Sequence, residues 1–428
     1  MIAKKLKMPP TSSINQNRFN LSKELLKLSL VLALFIAPIS VILNRLFGGG
    51  YIYFAALPDF VILTSFLILI LNKFKSGEMV HLVKNKLDCL VWIYLAISLI
   101  YVIWGLASPN LNLSLGQGFL SSTRFAFVYL SFRMSGIKFS DLYSEKIIKL
   151  SLFVILIFGL VQFFYPDVLS FLGYGSSPIK PISTVDGTSL VRAQSFLRGP
   201  NPYGAFLLIP FSFLIFNFKK IKDRLTSLSL ILLVTLNLIL TWSRSAWLGG
   251  ILILVIWGFT NIKLSKKMLV GGLITSFLLV ISSVAIFKTD AFKTAIFHDK
   301  PGVGGSASSD QNRVQSYKDA LSLIKNKPMG YGLDSAGPAS VRSASGVKIV
   351  ENYFLQIFLQ LGWLGGVLFI LISCWAIVEL FKLKSVNSMA LGASGLALAV
   401  VGLMQPVWVD VSVTLLWWSF FGIALQKK

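Results

Sequence analysis

The chain has 428 residues, 55% of them hydrophobic and only 13% charged, with a mean hydropathy of +0.75. Soluble domains carry about a quarter charged residues, so this composition excludes an ordinary soluble enzyme and points to an all-α polytopic membrane protein. The net charge of +23 does not require a nucleic-acid partner, because the placement of the basic residues has a topological explanation.

In chain order, apolar runs predict about twelve transmembrane helices, near 28–46, 51–71, 89–107, 118–134, 147–165, 201–218, 225–241, 246–260, 268–287, 352–380, 388–405 and 413–426. The first is preceded by a basic stretch, as in a signal peptide. No small-residue cleavage site follows Val41–Arg45, and another span starts at once, so it reads as a retained anchor. The fourth carries Arg124 among serines. The tenth is long enough to begin as an interfacial helix before turning into the membrane. With the N-terminus inside, the cytoplasmic segments hold 25 Lys and Arg residues against 5 on the short outer segments. Both termini are therefore expected inside (N-in/C-in). The whole chain, 1–428, reads as a single membrane domain with two large external loops, 166–200 and 288–349. Cys89 and Cys374 both fall in apolar runs, so no disulfide framework is expected. There is no internal repeat, no Gly-Lys-Ser/Thr phosphate loop and no His-Glu-x-x-His spacing. An ATP-driven pump is thus disfavoured, and neither a metal nor a cofactor is expected.

The candidate chemistry gathers on the outer side. The first external loop ends Arg192-Ala-Gln-Ser-Phe-Leu-Arg198-Gly-Pro-Asn201-Pro-Tyr-Gly204, a tight turn that starts a helix. Arg192 and Arg198 lie where the charge rule disfavours cations. Thr241-Trp-Ser243-Arg244-Ser-Ala-Trp-Leu-Gly249 places Arg244 between two apolar runs. An arginine there is costly unless it meets the membrane surface or a polar cavity, and it suits an anionic ligand such as a phosphate. In the second loop, a Gly/Ser stretch at 301–309 precedes an amphipathic helix marked by Val314, Tyr317, Leu321 and Ile324. Asp310 is its expected N-cap. Arg313 is then a first-turn cation that opposes the helix dipole, and with the free N–H groups it would hold a phosphate. Pro328-Met-Gly330-Tyr-Gly332 forms a turn, and Glu351-Asn352 opens the tenth run. Glu351 reads equally as a helix-start carboxylate and as a general base.

Together these segments, with Leu361-Gly-Trp-Leu-Gly365, resemble the O-antigen ligase and O-antigen polymerase superfamily over roughly 192–366. The resemblance implies a membrane-embedded, metal-independent glycosyltransferase of the bacterial inner membrane, with its active site facing the periplasm. Its donor would be an undecaprenyl-diphosphate-linked glycan, and its acceptor a sugar hydroxyl on another lipid-linked glycan (polymerase) or on the lipid A core (ligase). Membrane lipids are the remaining partner. On this reading Glu351, Arg244 and Arg198 are catalytic, and Arg192, Arg313, Asn352, Asn201, Ser243 and Arg124 bind substrate. Family ligases typically carry a histidine where this chain has Glu351, which shifts the expectation toward a repeat-unit polymerase. The competing class is a lipid-linked glycan transporter, which intramembrane Arg124 and Asp59 would suit. Arginines clustered at the outer face favour the enzyme, and arginines lining the midplane favour transport.

Overall fold

The computed structural model describes residues 19–35, 56–77, 82–107, 113–144, 146–168, 183–184, 191–218, 224–261, 309–340 and 350–426. These residues are helical throughout, apart from turns and one isolated antiparallel bridge between Thr184 and Val191. The helices in order are α1 (19–35), α2 (Leu57–Lys75), α3 (Lys86–Leu106), α4 (Leu113–Ser135), α5 (Phe139–Ser144), α6 (Lys146–Phe164) and α7 (Pro200–Asn217), then α8 (Arg224–Leu240), α9 (Arg244–Asn261), α10 (Ser309–Asn326), α11 (Tyr353–Lys382), α12 (Val386–Gly402) and α13 (Val411–Leu425). Ten of the predicted spans coincide with helices to within a few residues (α2–α4, α6–α9 and α11–α13), and α1 overlaps an eleventh but begins nine residues before the run at 28–46. Residues 36–46 of that run, the ninth predicted span at 268–287, and the Gly/Ser stretch up to residue 308 lie outside the described residues. Three helices, α2, α3 and α11, are by length and composition able to cross a membrane, and five shorter apolar ones accompany them.

The core forms where α4 meets α13, with α3 and α11 beside them. Tyr129 stacks on Phe421 at 5.0 Å, and Phe125 packs against Trp418 at 4.9 Å and Phe369 at 5.1 Å. Close approach here depends on Gly422, since a Cβ on it would stand 2.7 Å from the Tyr129 carbonyl oxygen. α7 is buried on almost every side, from Tyr203 to Phe216. A helix without a polar face belongs in the middle of a bundle, and α7 packs against α8, α9, α12 and α13.

α11 is two helices in series. Gly362 takes a left-handed conformation (φ 65°) and separates 353–361 from 363–382, so the run expected to start at the interface and then turn is broken nine residues in. The break frees backbone groups, and the 328–332 turn takes them up. The Leu359 and Gln360 carbonyls accept from Tyr331 N–H (2.7 Å) and Gly332 N–H (3.2 Å), while Trp363 N–H donates to the Pro328 carbonyl (2.9 Å). Two sequence-distant motifs are thus one backbone junction.

α10 is the amphipathic helix expected in the second loop, with a different start and a different buried face. It begins at Ser309, so Asp310 lies inside the helix and Arg313 falls beyond the first turn. Ala320 and Ile324 are buried against α11, with Leu323 partly buried beside them, whereas Val314 and Leu321 are exposed. Only part of the predicted apolar stripe packs, because the helix seats on α11 through its small residue, Ala320.

Candidate active site

Four pieces of chain meet at the end of the bundle where α8 and α12 finish and α7, α9, α11 and α13 begin. The first is the α8–α9 turn. Gly204 of α7 lets this turn come close: a Cβ there would stand 2.7 Å from the Ala246 Cβ and 3.2 Å from the Ser243 Cβ. Trp242, exposed, holds a left-handed φ of 51° between the two helices, the kind of strain that persists only where the surroundings enforce it. Arg244 is the first residue of α9 and half-buried, behind Ser243, whose carbonyl accepts the first helical bond from Trp247 N–H at 3.0 Å. A helix start with a guanidinium on it offers an anion both N–H groups and charge.

The second piece is the segment 191–204. Arg192 donates from Nε to the Thr241 carbonyl (2.9 Å) and from Nη2 to the Trp242 carbonyl (3.2 Å) and to Asn201 Oδ1 (2.9 Å). Arg192 and Asn201 both fasten the end of α8, where a cation meets the carbonyls and the negative end of the helix dipole. Arg198 is exposed one residue before the extended cap of α7, Gly199.

The third piece is the start of α11 with α10 across it. Arg313 contacts Glu351 Oε2 from Nε (2.7 Å) and Nη2 (2.6 Å). Asn352 caps α11 by accepting from Leu355 N–H at 3.0 Å, and its amide donates to the Leu403 carbonyl at 3.0 Å. Tyr317 donates to the same carbonyl at 2.7 Å and lies 3.1 Å from the Glu351 carbonyl. Burial raises the Tyr317 phenol above its ordinary pKa, with Arg313 opposing and Glu351 reinforcing that shift, so it stays a neutral donor. Arg313, Glu351 and Asn352 thus hold the second loop onto the bundle, a role their residue types did not announce.

The fourth piece, the linker 403–410, was not singled out in the sequence. Its Leu403 carbonyl takes the bonds just described, Gln405 Nε2 lies 3.4 Å from the Asn201 carbonyl, and the Val409 carbonyl accepts from Arg124 Nη1 at 2.8 Å. Asp410 ends the linker and caps α13 through Oδ1, which accepts from Ser412 N–H (3.0 Å) and Val413 N–H (3.2 Å). Burial pushes its carboxyl pKa above the ordinary carboxylate range, against the pull of the Val413 N–H, Arg124, Arg198 and the Ser412 N–H. An aspartate directly ahead of an apolar run is a helix-start signal. That signal was available in the sequence and would have drawn attention to this position.

Arg124 does not face an open cavity. It is buried and grips Asp59 through Nε to Oδ1 (2.5 Å) and Nη2 to Oδ2 (2.8 Å), with Nη1 on Val409. This two-pronged ion pair fixes α4 to α2 and to the linker.

The family model for O-antigen ligase matches residues 228–370. Over those residues it supports the resemblance to the O-antigen ligase and polymerase superfamily. The match encloses Ser243, Arg244, Arg313, Glu351 and Asn352. Arg192, Arg198, Asn201 and Asp410 lie outside it, and the fold brings these to the same end of the bundle. A comparison with curated proteins gave no match.

Proposed function

We propose that this O-antigen ligase superfamily protein transfers a glycan from undecaprenyl diphosphate to a sugar hydroxyl at the outer face of the bacterial inner membrane, polymerising surface-polysaccharide repeat units. The observation that carries this reading is the gathering of Arg244, at a helix start, and Arg198 with a partly buried carboxylate at one end of an apolar bundle. As the glycosidic bond breaks, negative charge grows on the diphosphate, and fixed guanidinium groups stabilise it. Arginine suits this better than lysine because its planar fork engages two phosphate oxygens at once. The exposed apolar sides of the helices provide for the polyprenyl chain. Lys73, Lys75, Lys138, Lys382 and Lys384 flank helix ends away from the site, and their placement supports a site facing outward. A transporter would need charged groups lining the midplane, and Arg124 is instead closed off by Asp59.

The test supplies the purified protein with a lipid-linked repeat unit, with and without a lipid A core acceptor. Growth of a polymer without core is the expected result. A single transfer to core makes the protein a ligase, and an intact donor in both reactions overturns the glycosyl-transfer reading.

A further inference from the structure

We propose that Asp410 is the group that takes the proton from the acceptor hydroxyl, an inference that rests on the glycosyl-transfer reading above. The family resemblance implies that task for Glu351, but two Arg313 nitrogens sit on one oxygen of Glu351 at 2.6 and 2.7 Å. An acceptor hydroxyl would have to compete with a guanidinium for it. Asp410 is differently placed. One of its oxygens is committed to the start of α13, and the other carries no hydrogen bond among the described residues. The linker that bears it is fastened from four directions, by Tyr317 of α10, Asn352 of α11, the Asn201 carbonyl of α7 and Arg124 of α4. A proton acceptor held this firmly needs little reorganisation when the reaction occurs.

The charged and titratable groups around Asp410 are Arg124, already neutralised by Asp59 of α2, Arg198 ahead of α7, and beyond Arg124 the Tyr353 hydroxyl of α11, which donates to the Ser121 carbonyl at 3.3 Å. Arg198 is the one whose charge can change partner. A diphosphate bound to Arg198 cancels its pull on the carboxylate and makes Asp410 a stronger base. Donor binding thereby prepares the acceptor step. In that step the hydroxyl proton moves to the free carboxylate oxygen, and the hydroxyl oxygen bonds to the anomeric carbon. The bond from that carbon to the diphosphate breaks, and its electron pair leaves with the diphosphate. The proton is then lost to water.

The decisive variant is Asp410→Asn in the full-length protein reconstituted in lipid, because asparagine caps a helix about as well as aspartate. Folding is checked by thermal unfolding, and binding of the lipid-linked repeat unit is measured apart from transfer. The expected result is donor affinity within a few-fold of wild type and transfer lowered by roughly 10²–10⁴. Wild-type transfer should fall as pH drops through a value above the ordinary carboxylate range of about 4, because the base works only when ionised, and the residual rate of Asp410→Asn should be flat across that interval. Transfer by Asp410→Asn near the wild-type rate, or a residual rate with the same acid limb, overturns the assignment while leaving the glycosyl-transfer reading standing. A wild type that leaves the donor intact overturns both.

Discussion

On the proposed reading Arg244 stabilises the charge that grows on the diphosphate, and its replacement separates charge from shape. Arg244→Lys keeps the cation but loses the planar fork, so most transfer should be lost while the protein still folds. Arg244→Ala should be slower still, by about 10²–10³-fold, the usual consequence of removing one preorganised electrostatic group. The measurement is turnover at equal membrane abundance, and near-normal turnover of the alanine variant would make this arginine structural. Arg124 calls for the opposite experiment. It is 7% exposed and fully occupied by Asp59 and a backbone carbonyl, so Asp59→Asn leaves a buried cation without its counter-charge. Removing one partner of such a pair costs about 3–5 kcal/mol. Asp59→Asn should therefore lower the unfolding temperature sharply, and adding Arg124→Met should recover part of the loss. Nothing in the sequence linked Arg124 to Asp59. The two are 65 positions apart, and a single intramembrane arginine looks the same whether it waits for a ligand or already holds a carboxylate.

At the scale of elements, the Gly330–Gly362 junction explains why two short motifs travel together. Both glycines are left-handed, with φ of 77° and 65°; Gly330 faces the backbone of Gly362, and Gly362 faces that of Pro328 and Met329. A Cβ on Gly330 would stand 2.5 Å from the Gly362 nitrogen, and one on Gly362 would stand 2.5 Å from the Pro328 carbonyl oxygen. Neither obstacle is a side chain that can swing aside. Gly330→Ala and Gly362→Ala should each destabilise by more than about 2 kcal/mol, the left-handed backbone alone costing about 1–2, with the clash added to it. Thermal unfolding with the lipid environment held constant checks this, and a wild-type melting temperature for either variant would refute the junction. The helices themselves were legible, since apolar runs set their positions to within a few residues. The face that α10 buries was not. Its apolar residues recur on two stripes, Val314 with Leu321 and Ala320 with Ile324, and only the fold tells which one meets α11. The linker 403–410 was illegible for a related reason. Its contribution comes mostly from backbone carbonyls, which leave no trace in residue type.

For the molecule as a whole, the proposed activity requires that the end bearing Arg198, Arg244 and Asp410 face away from the cytoplasm. Hydropathy and charge lead to that expectation, and the fold supplies the contacts that gather these residues at one end. The opposite end is defined just as clearly, since Asn217 of α7 lies 3.1 Å from Asn387 of α12, and Gln426 donates to the Phe132 carbonyl at 2.5 Å. Labelling of single cysteines can read the orientation directly. The two native cysteines, Cys89 and Cys374, are free and exposed, so both are first replaced by serine. Met329 and Met404 are exposed at the site end, by 68% and 37% respectively, while Lys138 and Lys384 stand at the other. Met329→Cys and Met404→Cys should react with a membrane-impermeant maleimide in intact spheroplasts. Lys138→Cys and Lys384→Cys should react only after the membrane is opened. The reverse pattern would put the arginines on the cytoplasmic side, where a donor displayed on the outer leaflet cannot reach them, and the proposed transfer could not take place.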